Sequence, residues 1–356
     1  MARAKADVLD NGGIAELLAI DGDGAKPPLQ KAFRRASRRA FLWPTEAAQL
    51  LRERRSLTEL PGVGPYLEKI IRRWIEDPPS VPTPPAIRRG FLTTTQAQKA
   101  LAKKPAWLRD LQGHLQMHSG WSDGTASGKE MAETGEKRGY EYIAITDHAK
   151  GLKIAGGINE KQLSEQGVEI SVVNDGMKRA GKRIRVLRSI ELNLSPRGES
   201  DMEPRALEKL YVGLGCFHSS LRKKEDQTAR YLAALRNPSI HILGHPRERI
   251  YNFRLGLTAE WPRVFDLTAK LDKAVEIDCY PDPQDLNMKL VRVAKKSGCR
   301  ISLGTDSHGP SQLRFIELGL ASAMLAGVPR ERIANFMGRE ELLEWASSVR
   351  GTAKFE

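Results

Sequence analysis

The chain has 356 residues, 40% apolar and 28% charged, which suits two domains or one large α/β unit with an appendage. No run approaches the roughly 18 consecutive apolar residues of a membrane span. MARAKADVLD lacks a secretory apolar stretch, and Cys216, Cys279 and Cys299 stand apart, so a reduced, cytoplasmic protein without a disulfide framework is expected. The net charge of +13 and pI near 9.7 favour polyanionic partners, nucleic acid above all.

In chain order, residues 1–77 read as helical. GIAELLAI (13–20) has an apolar helical face. QKAFRRASRRAFLW (30–43) sets Arg34, Arg35, Arg38 and Arg39 between apolar positions. TEAAQLLRERRS (45–56) and PYLEKIIRRWIED (65–77) come next, and Leu67, Ile70, Ile71 and Trp74 have the i, i+3, i+4, i+7 spacing of an amphipathic helix. The proline-dense DPPSVPTPPAIRRG cannot hold a helix and reads as a stiff tether, so residues 78–111 are expected to be linker plus a lead-in helix.

From about residue 112, strand-like and helix-like segments alternate up to about 350. Helical GKEMAETGEKRG, KQLSEQGVEISVVNDGMKRAG, EDQTARYLAALRNP and QDLNMKLVRVAKKSG each follow an apolar run. Alternation of this kind implies parallel strands with right-handed crossovers, hence an α/β layer or barrel. Seven apolar runs end at or near acids and histidines: LQGHLQMH, YIAITDH, RVLRSIELN, LYVGLGCFH, HILGHP, AVEIDCY and RISLGTDSH. A core strand gains nothing from such a tip. Repetition at seven tips implies convergence, and mixed imidazoles and carboxylates suit a divalent metal. In a barrel the strands' C-terminal ends hold the site.

The tips supply His114, Gln116 and His118, which alternate onto one face, then Asp123 in the following turn. Further along come Asp147 and His148, Glu191, His218, His245, and Asp306 with His308. His241 opens its strand at the opposite end and reads as structural. Asp147 is expected to orient its strand end. Lys150, Arg222, Arg247 and Arg249 are candidates to hold phosphate oxygens, the alternative being solvated surface charge.

The motifs MHSGWSDG, YEYIAITDHAKGL, SIELNL, HSSLR, ILGHP and GTDSHGP resemble the PHP (polymerase and histidinol phosphatase) superfamily, and most of all the PHP domain of bacterial family-X DNA polymerases. The resemblance runs from about 112 to 345. It implies a distorted (β/α)7 barrel binding two to three divalent ions, Zn or Mn. The implied ligands are Gln116, His118, Asp123, His148, Glu191, His218, His245, Asp306 and His308. They would form three groups: His118, Glu191 and Asp306; Glu191, His218 and His245; and Asp123, His148 and His308. The family's opening motif has two histidines flanking one residue, and Gln116 stands where the first would be. An amide oxygen is a poorer ligand than imidazole, so the first ion is expected to be altered, or His114 to take part.

LTELPGVGPYLEKII resembles a helix-hairpin-helix, in which Gly62 and Gly64 permit close approach of backbone amides to a DNA phosphate while Lys69, Arg72 and Arg73 add charge. Residues 10–77 resemble the small N-terminal domain of the same polymerases. The stretch between 77 and 112 is too short for a polymerase palm, so polymerase activity is not expected. The leading expectation is a metal-dependent phosphoesterase acting on DNA as a 3′–5′ exonuclease or a 3′-end or abasic-site processing enzyme, with ion-activated water attacking phosphorus in line. Two other readings are a small-molecule phosphomonoesterase of the histidinol-phosphatase type and a DNA-binding scaffold with a weakened site. No membrane partner is expected, and no oligomeric state is implied.

Overall fold

A computed structural model describes residues 9–352. The reading of the first eight residues as free of a signal segment lies outside the described residues. Among these residues no helix is long and apolar enough to cross a membrane. The chain divides into two compact units. One runs up to Lys103 and includes Tyr251–Phe253. The other holds Lys104–Ile250 and the chain from Arg254 onward.

The first unit is all helical. It contains α1 (Asn11–Gly24), α2 (Leu29–Ala40), α3 (Ala47–Arg52), α4 (Pro65–Glu76) and α5 (Thr94–Leu101). α2 buries Phe33, Ala36, Ser37 and Ala40 and leaves its arginine face exposed. α4 starts with Pro65, whose missing N–H costs nothing at a first helical position, and buries Leu67, Ile71 and Trp74. Gly62 precedes it with φ +84°, a conformation that glycine adopts without penalty. Residues Leu57–Glu59 form only a single 3-10 turn before Gly62.

The unit extends past the expected boundary at 77. Thr93 and Gln96 form a capping box on α5. Gln96 Nε2 donates to Asp10 Oδ2 at 2.9 Å, and the Thr94 N–H donates to the Phe41 carbonyl at 2.8 Å. The proline-rich stretch is also held, since Arg88 Nη2 lies 2.8 Å from Glu16 Oε1.

The second unit contains, in order, α6 (Ala106–Arg109), β1 (Gly113–His114), α7 (Gly128–Lys137), β2 (Tyr142–Ile145), α8 (Glu160–Arg179), β3 (Arg185–Asn193), α9 (Pro204–Leu207), β4 (Val212–Cys216) and α10 (Thr228–Arg236). Beyond these lie β5 (Ile242–Leu243), α11 (Trp261–Lys270), β6 (Ala274–Asp278), α12 (Met288–Lys296), β7 (Arg300–Gly304), α13 (Ile316–Ala326) and α14 (Arg339–Thr352). All seven strands are parallel and ordered β1 to β7. The arrangement is a nearly closed α/β barrel of seven strands.

β1 is shorter than its apolar run because its continuation leaves the β2 ladder. Met117 bridges Ser307, and the His118 N–H donates to the Ser307 carbonyl at 2.8 Å. At the other end of the same seam, the buried Asn335 amide accepts from Leu303 N–H at 2.7 Å and donates to the Gly113 carbonyl at 3.1 Å. Leu342, Trp345, Ala346 and Val349 of α14 share a core cluster with Leu115, Val212, Leu214, Ile242 and Ala274. Strand periodicity then orders each inward face toward the site, with Cys216 and His218 after Leu214, and Glu276 and Asp278 after Ala274.

Candidate metal centre

Glu191, at the end of β3, is fully buried and uses both carboxylate oxygens. Its Oε1 lies 3.0 Å from His218 Nε2, 3.1 Å from His245 Nε2 and 3.5 Å from His148 Nδ1. Its Oε2 accepts from Gln116 Nε2 at 3.1 Å and lies 3.5 Å from His118 Nε2. Asp306 Oδ1 is 2.8 Å from the same His118 nitrogen. At the rim, Asp123 Oδ1 is 3.2 Å from His308 Nε2 and 3.6 Å from His148 Nε2. The rings of His118 and His148 stack with centroids 4.2 Å apart, and those of His118 and His308 at 4.7 Å. All nine positions expected as ligands therefore lie in one chain of contacts.

The donor set fits divalent ions. His118, Glu191 and Asp306 bring ligand atoms within 4.8 Å of one another, as do His148, Glu191 and His218, and His118, His148 and His308. Gln116 Oε1, His118 Nδ1 and Glu276 Oε1 are buried without a hydrogen-bond partner, an arrangement native interiors avoid unless something else satisfies them. Imidazole nitrogen and carboxylate oxygen are the donors zinc and manganese take.

The charges are correspondingly interdependent. Burial alone would raise the Glu191 pKa, but His148 and His245 outweigh it and hold the group ionised well below the usual carboxylate range. Burial likewise opposes charge on His118, yet its hydrogen bonds to Asp306 and Glu191 raise its pKa well above that of free imidazole. One layer of acid on β6 differs. Burial pushes Glu276 up to about 8, and burial with Asp306 and Glu276 raises Asp278 further from its normal value. A Cβ at position 304 would fall 2.0 Å from Glu276 Oε1 and 2.5 Å from Gln116 Oε1, which is why β7 ends in glycine there.

Gln116 and His114 part company. Gln116 reaches Glu191, whereas His114 Nε2 pairs with Thr305 Oγ1 at 2.9 Å, and burial lowers its pKa to about 3. Asp147 accepts from Ser119 N–H, Ser119 Oγ, Ser122 Oγ and Gln166 Nε2 at 2.6–2.8 Å, so it ties the β1 and β2 loops together. Lys150 Nζ pairs with Glu160 at 2.7 Å, and Arg247 Nη2 donates to the Leu255 carbonyl at 2.7 Å. Arg249 Nε donates to the Pro283 carbonyl at 2.9 Å, while Arg222 is exposed. In the first unit Gly62, Gly64, Lys69 and Arg73 are exposed, and Arg72 pairs with Glu68 at 3.1 Å. Glu248 beside His245, and Glu276 beneath Gln116, were not expected as site residues. AVEIDCY displayed Glu276 as an inward acid, but nothing in GHPRER marked its glutamate.

No family model matches the chain. It is 31% identical over 229 residues to the DNA polymerase/3′-5′ exonuclease PolX of Bacillus subtilis, a match covering 64% of this chain and 40% of that protein. A probable phosphatase of Thermoanaerobacter sp. is 23% identical over 217 residues, covering 58% of this chain and 82% of that one. The solved histidinol phosphate phosphatase of Lactococcus lactis, complexed with zinc, L-histidinol and phosphate, has a TM-score of 0.45 at 17% identity, covering 61% of this chain and 94% of that one. The chain thus spans less than half the length of PolX. It is a homologue of PolX and of the probable phosphatases.

Proposed function

We propose that this chain is a metal-dependent phosphoric ester hydrolase of the PHP type whose substrate is DNA. The observation that carries the hydrolase reading is Glu191, whose two oxygens are shared among side chains from β1, β2, β4 and β5. Bound divalent ions would supply positive charge toward phosphoryl oxygens and acidify water at the site. The protein's part is to hold donors in place. Glu191 links two groups of histidines, Asp306 fixes His118, and Asp147 pins the loop from which Asp123 reaches the rim.

DNA as substrate is supported by the net charge of +13, the basic face of α2, the exposed Gly62 turn ahead of α4 and the homology to PolX. Under this reading the turn's amides and Lys69, Arg72 and Arg73 contact phosphates. A second reading, hydrolysis of a small phosphate monoester, is favoured by the match over 82% of a probable phosphatase. End-labelled single-stranded and duplex DNA, assayed with Mn2+ beside nitrophenyl phosphate and histidinol phosphate, separates the two. Shortening of DNA is expected. Turnover of the small esters alone would defeat the DNA assignment and leave the hydrolase intact. Lys69→Ala/Arg73→Ala should lower DNA affinity and the log–log salt slope by about 1–2, without changing turnover of a small ester.

A further inference from the structure

β3 begins before its ladder with β4 does. It pairs with β2 from Arg185 to Arg188, but with β4 only from Ser189, opposite Val212. A side chain of α8 closes the backbone in this notch: Asn174 accepts from the Val186 N–H at 2.8 Å and donates to the Val186 carbonyl at 2.9 Å. The Tyr211 N–H donates to the Arg188 carbonyl at 2.8 Å and so sets that tyrosine at the edge of the notch. Beside these groups lies a cavity of about 300 Å³. Its walls carry Arg185, Arg188 and Arg339 and no carboxylate.

Arg188 does not belong to the metal centre. It stands three residues before Glu191 on β3, and alternation turns the two to opposite faces of the strand. Its half-buried guanidinium lies against α8, where a Cβ at Gly167 would fall 2.4 Å from its Cζ and Nη2. Glycine inside a helix costs about 1 kcal/mol relative to alanine, and here it admits the arginine. Yet Arg188 Nε is buried without a hydrogen-bond partner. Arg185 places Nη1 on the carbonyls of Lys182, Arg183 and Ile184, and Arg339 Nη2 lies 3.9 Å from Glu340, an exposed contact of little strength. Three guanidiniums therefore share one cavity that holds no anion of its own.

Guanidinium forks match phosphate oxygens. Tyr211 is 44% exposed, which leaves its ring open to a stacked base. The volume sits at the small end of small-molecule sites, which favours a single nucleotide over a polymer. We propose that this notch binds a nucleoside monophosphate, with the guanidiniums on its phosphate and Tyr211 against its base. The 5′-terminal phosphate of a DNA strand shares this chemistry, and the test separates the two. The assignment does not depend on the metal-centre reading.

The full chain is titrated by calorimetry as purified and again in excess chelator, which removes any phosphate uptake that depends on ions. The probes are deoxyadenosine monophosphate, inorganic phosphate, deoxyadenosine and a 5′-phosphorylated oligo(dA). In chelator the wild type should bind the mononucleotide, inorganic phosphate more weakly, and deoxyadenosine not at all. Arg188→Gln should weaken both phosphates at least about tenfold, the scale of one hydrogen bond to a charged group. Gly167→Ala, whose methyl displaces the guanidinium, should do the same, whereas Tyr211→Leu should weaken the mononucleotide alone. Ligand-free Arg188→Gln should melt no lower than the wild type, because no protein partner is lost. A large drop in its melting temperature would mark a structural arginine and overturn the assignment. Wild-type affinity in Arg188→Gln, or no uptake of the mononucleotide at millimolar concentration, would overturn it as well. Uptake of the oligonucleotide without the mononucleotide would give the notch to strand ends and defeat the nucleotide assignment. None of these failures touches the metal centre.

Discussion

The two ends of β5 carry the same residue in opposite employment. His241 and His245 are both buried, at 0% and 7% exposure, and only three residues separate them. His241 accepts from the Gly213 N–H at 3.0 Å and pairs with the Ala346 carbonyl at 3.1 Å, so both ring nitrogens are served by backbone. Burial holds it neutral, with its pKa lowered to about 3. Burial opposes charge on His245 as well, but Cys216, Glu248 and Glu191 outweigh it and raise its pKa well above the usual imidazole range. Depth in the barrel does not make a histidine functional. What separates the two is whether the partners are local backbone or charged side chains gathered from other strands.

The largest expected effect tests the rim. Asp306→Ala or His218→Ala should cut phosphoester turnover by at least about 10²–10³-fold, the scale for losing a preorganised electrostatic group, with far-UV circular dichroism unchanged. Full turnover in either variant would break the contrast. Chelation comes next. Removing divalent ions should lower the melting temperature, with about 2.7 kcal/mol of stabilisation returning when an ion is supplied at 100 times its dissociation constant. His241→Leu should show the same ion-dependent shift and His245→Ala a smaller one.

At the other end of the strand, His241→Leu should leave turnover and ion content untouched. It should destabilise the fold by about 1–3 kcal/mol for the buried backbone group left unpaired, measured by urea denaturation. The same substitution also tests the acid dependence of His241. The folded-state pKa of about 3 lies below the unfolded value of 6.5. The unfolded chain therefore takes up a proton that the folded one does not, and stability present above pH 6.5 is lost as pH falls toward 3. The loss is at most about 1.4 kcal/mol per pH unit. The gap between wild type and His241→Leu should shrink over that window and can reverse toward pH 3; a constant gap would mean that His241 is not held neutral.

Much of this contrast was legible in the sequence. Period-two alternation places Leu214, Cys216 and His218 on one face, and the tips of seven parallel strands must meet at one end. The pattern also marked His241 as lying at the wrong end for the site. Other features depend on polar contacts that no periodicity encodes. The first unit reaches Lys103, beyond the expected break at 77, because α5 is tied in through Thr93, Thr94 and Gln96. β1 looked like an eight-residue strand, yet only Gly113 and His114 pair with β2 before the chain crosses to Ser307. The choice between Gln116 and His114 turned on Thr305, which captures the His114 ring. Lys150 and Arg247 have the composition of phosphate holders but spend their charge on Glu160 and on loop carbonyls. Glu248 escaped notice because a left-handed loop residue has no strand register to announce it.

Asn335 carries a consequence for biosynthesis. Its amide links the first and last strands, though it sits 31 residues beyond the end of β7. A ribosome delivers all seven strands before this latch emerges, so the nascent cylinder lacks it until 31 residues after the end of β7 have been added. A chain stalled before that point has only the Met117–Ser307 end of the seam to join its first and last strands, and edges left unpaired are the templates on which neighbouring polypeptides aggregate.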